Sequence, residues 1–366
     1  MKKRNDISLG IGWADAICGI RGGLGKFRYV ASLHCCHFVL LFLVATIGVG
    51  WGQDYDESEP EVKGKEVLPE RVSEFIVKTR AEKNEEIPFF IRTPKGFDPK
   101  DRRSRRLLFL CPYIGQTGIN RLNQCGAFLD LADERGWFVM TCTFTHPAEW
   151  ARARKRSFYY PEGFSGKAVL DAIESVARKV PIDTERILLQ GLSAGAQFVH
   201  RFAMWAPGRV SAVAINSSSW YDSPGKGCDQ VAWMVIIGES ESTYDASLRV
   251  TQELRDVGAA PLFYPYAGEA HQGGGEAVEK LTLEWLKFQD DRSKGQLGRK
   301  KTSLDRPDQR LAMQAKEMPY VGDMQILTYK ENTPANVADL PEDGTVFLPS
   351  KEVAELWGTY EGEKGE

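Results

Sequence analysis

The segment Ile187-Leu188-Leu189-Gln190-Gly191-Leu192-Ser193-Ala194-Gly195-Ala196 limits the fold more than any other part of the 366-residue chain. Ile187 to Leu189 is a short run apolar throughout, as a strand buried on both faces requires. It runs into a Gly-x-Ser-x-Gly turn. An amphipathic helix from Ala196 to Trp205 follows, with Phe198, Val199, Phe202 and Trp205 expected to face inward. A strand that reverses into a helix this abruptly has no room for side chains next to the serine, hence the glycines two before and two after it. Such a turn lifts the hydroxyl above the sheet edge, with a helix N-terminus behind it that favours negative charge. A serine that merely caps a helix in a glycine-rich turn gives the same letters. The buried strand before it and the amphipathic helix after it favour a nucleophile, Ser193.

The rest of the chain extends this pattern. Leu107 to Leu110, Trp137 to Met140, Val210 to Ile215, Trp233 to Ile237 and Leu262 to Tyr264 read as further buried strands. Helical spacing appears at Phe128 to Arg135, at Val169, Leu170, Ile173, Val176 and Val180 before Pro181, at Ser247 to Val257 and at Glu276 to Phe288. Alternating strands and helices predict an α/β fold with a mostly parallel central sheet covered by helices on both faces. Alternation through Val72 to Val77 and Ile87 to Ile91 adds an antiparallel hairpin at one edge, ending in the turn Thr93-Pro94-Lys95-Gly96. Between Ile215 and Trp233 there is space for a loop but not for a large lid domain.

Before this region lies a basic segment, then the apolar run Phe38 to Val49, small residues Gly50 and Gly52, and an abrupt acidic stretch from Asp54 to Glu61. This order predicts a signal peptide over residues 1–52, with an N-terminal anchor as the rival, and a flexible lead-in over 53–66. Either places the globular part outside the cytoplasm, secreted or periplasmic. Cys35 and Cys36 lack the small residues of a lipoprotein site. The catalytic region is expected over 67–290. From Asp290 to about Gln314 the chain reads as a polar surface connection. The part from 291 to 366, with apolar runs Met324 to Leu327 and Val346 to Leu348 and a helix ending at Trp357, reads as an extension docked on it.

A formal net charge of −3 gives no reason to expect nucleic acid as a partner. The run Arg152, Arg154, Lys155, Arg156 reads as a solvated face. Membrane contact is expected only through the N-terminal segment if it is uncleaved. Cys111, Cys125, Cys142 and Cys228 permit disulfides in three pairings, with buried thiols as the alternative. No cysteine and histidine spacing suggests a metal, and no cofactor is implied.

A serine hydroxyl needs a base. Past the leader the histidines are His146, His200 and His271. His146 precedes the serine, His200 lies along the helix after it, and His271 follows the strand through Tyr266-Ala267-Gly268-Glu269-Ala270, so His271 is the candidate. The third group is a carboxylate after the Trp233 strand: Glu241, then Asp245, then Glu239. The backbone N–H of Ala194 faces a developing oxyanion. Trp220 with Tyr221, or Trp150 with Phe158-Tyr159-Tyr160, could form an aromatic platform for substrate.

At these residues the chain resembles the secreted α/β-hydrolases of the polyhydroxybutyrate depolymerase-like and feruloyl esterase-like group. The resemblance spans about Val72 to Phe288. It rests on the Ser193 turn, on Gly268-Glu269-Ala270-His271, and on Leu110 to Gln116 followed by Leu131-Ala132-Asp133-Glu134-Arg135-Gly136-Trp137. It implies an α/β-hydrolase fold and a serine esterase acting on carboxylic esters, polymeric or plant-type ones among them. It also implies a second oxyanion donor at Ile114, beside Gln116 as a substrate contact. Where that group carries His-Gly, this chain has Pro112-Tyr113. A peptidase-like hydrolase and a non-catalytic binding protein on the same scaffold are the other readings.

Overall fold

The structure is a computed structural model that describes residues 67–79, 86–144, 157–268, 271, 273–295, 318–338 and 344–361. The leader and lead-in, His146, Trp150, the Arg152 to Arg156 run, Glu269, Ala270 and residues 296–317 lie outside the described residues.

Eight strands form one sheet. They are β1 (Val72–Lys78), β2 (Glu86–Arg92), β3 (Leu107–Cys111), β4 (Phe138–Cys142), β5 (Ile187–Leu192), β6 (Val210–Asn216), β7 (Ala232–Gly238) and β8 (Leu262–Tyr266). Their order is β1-β2-β4-β3-β5-β6-β7-β8. β2 is antiparallel to β1 and β4, and all pairs from β4 to β8 are parallel. β3 and β4 are buried at every position, as their unbroken apolar sequences require. Helices α1 (Gly118–Gln124), α2 (Gly126–Arg135) and α6 (Gly275–Gly295) cover one face. Helices α3 (Gly166–Ala177) and α4 (Ala194–Trp205) cover the other, and α5 (Tyr244–Asp256) follows β7. This strand order, with a crossover reversing at β3 and a single antiparallel strand, β2, next to the edge strand β1, is the α/β-hydrolase fold.

Local chemistry sets the element ends. Thr117 Oγ1 caps α1 by accepting the Asn120 N–H at 3.1 Å, and Gly136 closes α2 in the left-handed conformation. The edge hairpin is pinned by Asp133 of α2. Its carboxylate accepts from Arg71 (2.8 Å) and Arg92 (2.6 Å), and from the Lys95 backbone N–H at 2.8 Å. Burial opposes this charge, but the two guanidinium groups outweigh it and hold the carboxyl well below its usual range.

The loop between β6 and β7 is short and carries only one 3₁₀ turn, at Cys228–Gln230. All four described cysteines are buried thiols, not disulfides. Two expectations need correction. Trp205 is 41% exposed at the end of α4, while Phe198, Val199 and Phe202 are fully buried. Asp290 does not open a surface connection. It sits fully buried inside α6, which runs on to Gly295, because Arg106 and Trp137 bind its carboxylate.

Toward the C-terminus, β9 (Tyr320–Asp323), β10 (Thr328–Glu331), β11 (Thr345–Leu348) and β12 (Thr359–Tyr360) make a second sheet, ordered β11-β9-β10-β12. Met324 to Leu327 is the turn between β9 and β10. Helix α7 (Pro334–Ala338) precedes β11, and α8 (Lys351–Trp357) follows it. Val346, Leu348, Val353 and Trp357 are continuous with the main core, and the Trp357 indole donates to Phe263 O at 2.8 Å.

Candidate active site

Ser193 sits between β5 and α4 with φ 55° and ψ −121°, a conformation that costs a non-glycine residue about 1–3 kcal/mol. Its neighbours explain why the turn is held. A Cβ on Gly191 would collide with the Gly195 backbone and lie 2.7 Å from Ala196 N. One on Gly195 would lie 2.7 Å from Cys111 O and 2.8 Å from Pro112 O, at the end of β3. Both glycines are therefore required by contact. The Ser193 N–H donates to Asn216 O and the Gln197 N–H to Ser193 O, both at 3.0 Å, so the turn is tied to β6 and to its own helix.

Ser193 Oγ lies 2.9 Å from His271 Nε2, and His271 Nδ1 lies 3.0 Å from Glu241 Oε2. The carboxylate next to Nδ1 fixes the ring proton there and leaves Nε2 to accept from the serine hydroxyl. The hydrogen bond to Glu241 raises the His271 pKa above its ordinary value against the opposing effect of burial. Burial also works against the Glu241 charge. Hydrogen bonds from His271, Ser217 and the Gly238 N–H outweigh it and hold that carboxyl below its ordinary value.

The other oxygen of Glu241 is held by three neutral donors: the Ser217 hydroxyl (2.6 Å), the Tyr266 hydroxyl (3.0 Å) and the Gly238 N–H (3.2 Å). The loop carrying His271 is anchored by the same groups. Gly273 N–H donates to Tyr266 Oη at 3.2 Å, and Asn216 Nδ2 donates to Gly273 O at 2.9 Å. Asn216, Ser217 and Tyr266 were not legible as site residues. The one signal was the abrupt polar run Asn216-Ser217-Ser218-Ser219 at the end of an apolar strand.

The structure brings Ser193, His271 and Glu241 together and leaves the other carboxylates out. Asp245 is exposed in the first turn of α5, and Glu239 is exposed at the end of β7. Ala194 opens α4 directly behind the serine, and Ile114, 37% exposed, lies in the turn after β3. Gln116 is a correction: it is buried, its Oε1 accepts from the Tyr113 N–H at 3.2 Å and its Nε2 donates to Gln124 at 2.7 Å. It braces the Ile114 turn and offers no open face to substrate.

The aromatic platforms divide likewise. Trp220 is 60% exposed. Tyr221 is half-buried: its hydroxyl accepts from Ser247 at 3.0 Å and its ring packs 5.2 Å from that of His200. Phe158 stacks on Phe144 in the core, and Tyr160 lies under the Arg201 guanidinium at 4.4 Å. His200 is fully buried, its Nδ1–H donating to Gln197 O and its Nε2 accepting the Asp222 N–H at 3.0 Å. Burial, reinforced by the Arg201 charge, pushes its pKa down to about 3, so it stays neutral. Among the described residues no cluster of histidine, cysteine and carboxylate side chains could hold a metal.

No family model matches the chain, and no curated protein matches it. Among solved structures it is similar to a thermostable esterase (18% identity, TM-score 0.47), the match covering 61% of each chain. It is also similar to a ferulic acid esterase (14% identity, TM-score 0.47), with 60% of this chain and 97% of that one covered. Porphyromonas gingivalis dipeptidyl peptidase 4 matches at 17% identity and TM-score 0.45, covering 60% of this chain. The matched region spans 61% of the thermostable esterase and 35% of the peptidase, so neither is matched over its full length.

Proposed function

We propose that this chain is a serine hydrolase of carboxylic esters that works through an acyl-enzyme on Ser193. The observation that carries the reading is the unbroken relay of 2.9 and 3.0 Å from Ser193 through His271 to Glu241, mounted on a strained turn. In this reading Ser193 Oγ attacks the ester carbonyl carbon while its proton passes to His271 Nε2. The imidazolium formed is stabilised by the Glu241 carboxylate, whose attraction grows as the ring becomes charged. The N–H groups of Ala194 and Ile114 hold the oxyanion. His271 returns the proton to the leaving alcohol, and water then releases the acid by the same steps in reverse.

The absence of a lid between β6 and β7 among the described residues supports an open site. So does the exposure of Trp220 and Ile114. An open apolar rim suits acyl groups presented on a polymer or a plant-type ester. The basic, apolar and then acidic order of the first 61 residues supports export, with the leader removed.

The test is hydrolysis of p-nitrophenyl acetate and butyrate by the chain from Gln53, beside Ser193→Ala and His271→Ala. Turnover by the wild type that falls about 10⁴-fold or more in both variants is expected. Equal rates in all three, with the fold intact by circular dichroism, would overturn the reading and favour a binding protein on this scaffold. Faster cleavage of a matched p-nitroanilide than of the ester would favour a peptidase.

A further inference from the structure

A cavity of about 340 Å³ lies under the Ser193 turn, on the sheet face opposite α4. Leu192, Asn216 and Gly273 form one wall, so it abuts the active site, but Ser193, His271 and Glu241 do not line it. Arg121 of α1 reaches into it from the other side. Four arginines of the fold are buried: Arg92, Arg106, Arg121 and Arg201. Three of them hold a carboxylate, at Asp133, Asp290 and Asp222. Arg121 does not. Among the described residues its guanidinium meets Gln190 Oε1 and no carboxylate within ion-pair distance, and its Nε is buried with no partner. A guanidinium has five donors. Burying its charge without a counter-ion weakens the fold, which makes a bound anion the natural complement.

The remaining lining narrows the ligand. A guanidinium fork matches the two oxygens of a carboxylate. Phe128, Leu192 and Val278 supply apolar wall for a hydrocarbon or aromatic body. Glu276 and Glu279 of α6 also border the space. Glu276 is tied to Lys280 at 2.6 Å, and Glu279 is half-buried. Their charge repels a second negative charge on the ligand, which favours a monoanion over phosphate. We propose that this cavity binds a small monocarboxylate, anchored by the Arg121 guanidinium. The site stands whether or not Ser193 turns over esters.

The test is calorimetric titration of the full chain with sodium benzoate at low salt, beside benzamide as the neutral isostere and inorganic phosphate as the dianion. Saturable one-site binding of benzoate is expected, weakened about tenfold or more in Arg121→Gln, with benzamide and phosphate both weaker than benzoate. Glu279→Gln removes repulsion at the rim and is expected to tighten benzoate about threefold; it decides the matter should Arg121→Gln fail to fold. No saturable binding to the wild type, unchanged affinity in the folded variants, or phosphate binding more tightly than benzoate overturns the proposal. Two sources share this chemistry, the acid arm of a bound ester and a separate free acid. In Ser193→Ala, a mono-p-nitrophenyl half-ester that displaces benzoate identifies the first, and one that leaves benzoate binding unchanged identifies the second.

Discussion

Two carboxylates lie buried at opposite edges of the main sheet, and their surroundings differ in kind. Asp290, at the edge where the parallel strands begin, binds Arg106 Nε at 2.8 Å, Lys294 Nζ at 2.6 Å and the Trp137 indole N–H at 3.0 Å. Arg106 in turn donates to Arg186 O at 2.6 Å, so the cluster ties β3, β4, β5 and α6 together. Glu241, at the edge where the strands end, is met by two hydroxyls, a backbone N–H and His271. Asp290 faces permanent positive charge. Glu241 faces neutral donors and one group able to become charged. An interaction that is already complete at rest stabilises the fold, whereas one that strengthens only when His271 takes a proton lowers a barrier.

Neutralising Glu241 should therefore cost the most activity. Glu241→Gln keeps the side-chain volume and removes the charge, so the proposed esterase kcat should fall about 10³–10⁴-fold with stability within about 1 kcal/mol of wild type. The pH profile adds a sign. The Glu241 hydrogen bond raises the His271 pKa, so in the wild type the neutral base is lost on acidification at a pH above the ordinary histidine value. In Glu241→Gln the acid limb of kcat/KM should move to lower pH. An unmoved limb would sink the assignment of Glu241 as the partner of His271.

Asp290→Ala is the mirror experiment. It leaves Arg106 buried without its main counter-ion and should cost about 3–5 kcal/mol in denaturant unfolding, with kcat/KM per folded molecule unchanged. Burial opposes the Asp290 charge, but Lys294 and Arg106 outweigh it and lower its pKa. Its contribution is thus present above the unfolded aspartate value and lost only as pH falls through the depressed one. If Asp290→Ala instead reduced turnover while sparing stability, the contrast between the two edges would collapse.

These two sites were unequally legible in the sequence. The Ser193 turn could be read because strand, turn and helix are contiguous, and His271 because few histidines compete for the role. The choice between Glu241 and Asp245 stayed open, since only three residues of chain lie between them and only the turn into α5 decides which one faces the ring. Ser217 and Tyr266 come from the ends of different strands, and their meeting is set by the order β6-β7-β8, which local spacing does not carry. Asp290 reads as the start of a surface connection and Arg121 carries no signal at all, for a common reason: nothing local marks a lone charged residue as buried, and only packing shows it. Gln116 failed the other way, as a polar group near the site whose hydrogen bonds are spent on the scaffold.

The histidines repeat the contrast at smaller scale. His271 is raised by a carboxylate, whereas His200 is lowered to about 3 by burial with no carboxylate hydrogen-bonded to its ring among the described residues. In the unfolded chain His200 takes a proton near 6.5, and in the folded chain it does not. Stability attributed to it is therefore present above pH 6.5 and declines toward pH 3, by up to about 1.4 kcal/mol per pH unit. His200→Gln should flatten that slope in urea titrations between pH 6.5 and 4.5. A slope as steep as in the wild type would show that other groups carry the acid sensitivity.

The smallest effect is the most discriminating. Ser217→Ala removes one of three neutral donors to Glu241 Oε1 and leaves Tyr266 and the Gly238 N–H in place. That hydrogen bond is already made at rest, so its loss of about 1.5–3 kcal/mol falls mainly on stability, and kcat should fall only through misplacement of the carboxylate, roughly tenfold at most and far less than for Glu241→Gln. The pH profile should move the opposite way. A carboxylate with fewer donors is a stronger acceptor for the imidazolium, so the His271 pKa rises and the acid limb shifts to higher pH. Tyr266→Phe is the less clean probe, because the same hydroxyl accepts from Gly273 and its loss also loosens the loop that carries His271. Opposite shifts in Glu241→Gln and Ser217→Ala would show that the neutral donors tune the carboxylate as well as place it. Shifts of the same sign would reduce Ser217 to packing and leave His271 as the group that separates Glu241 from Asp290.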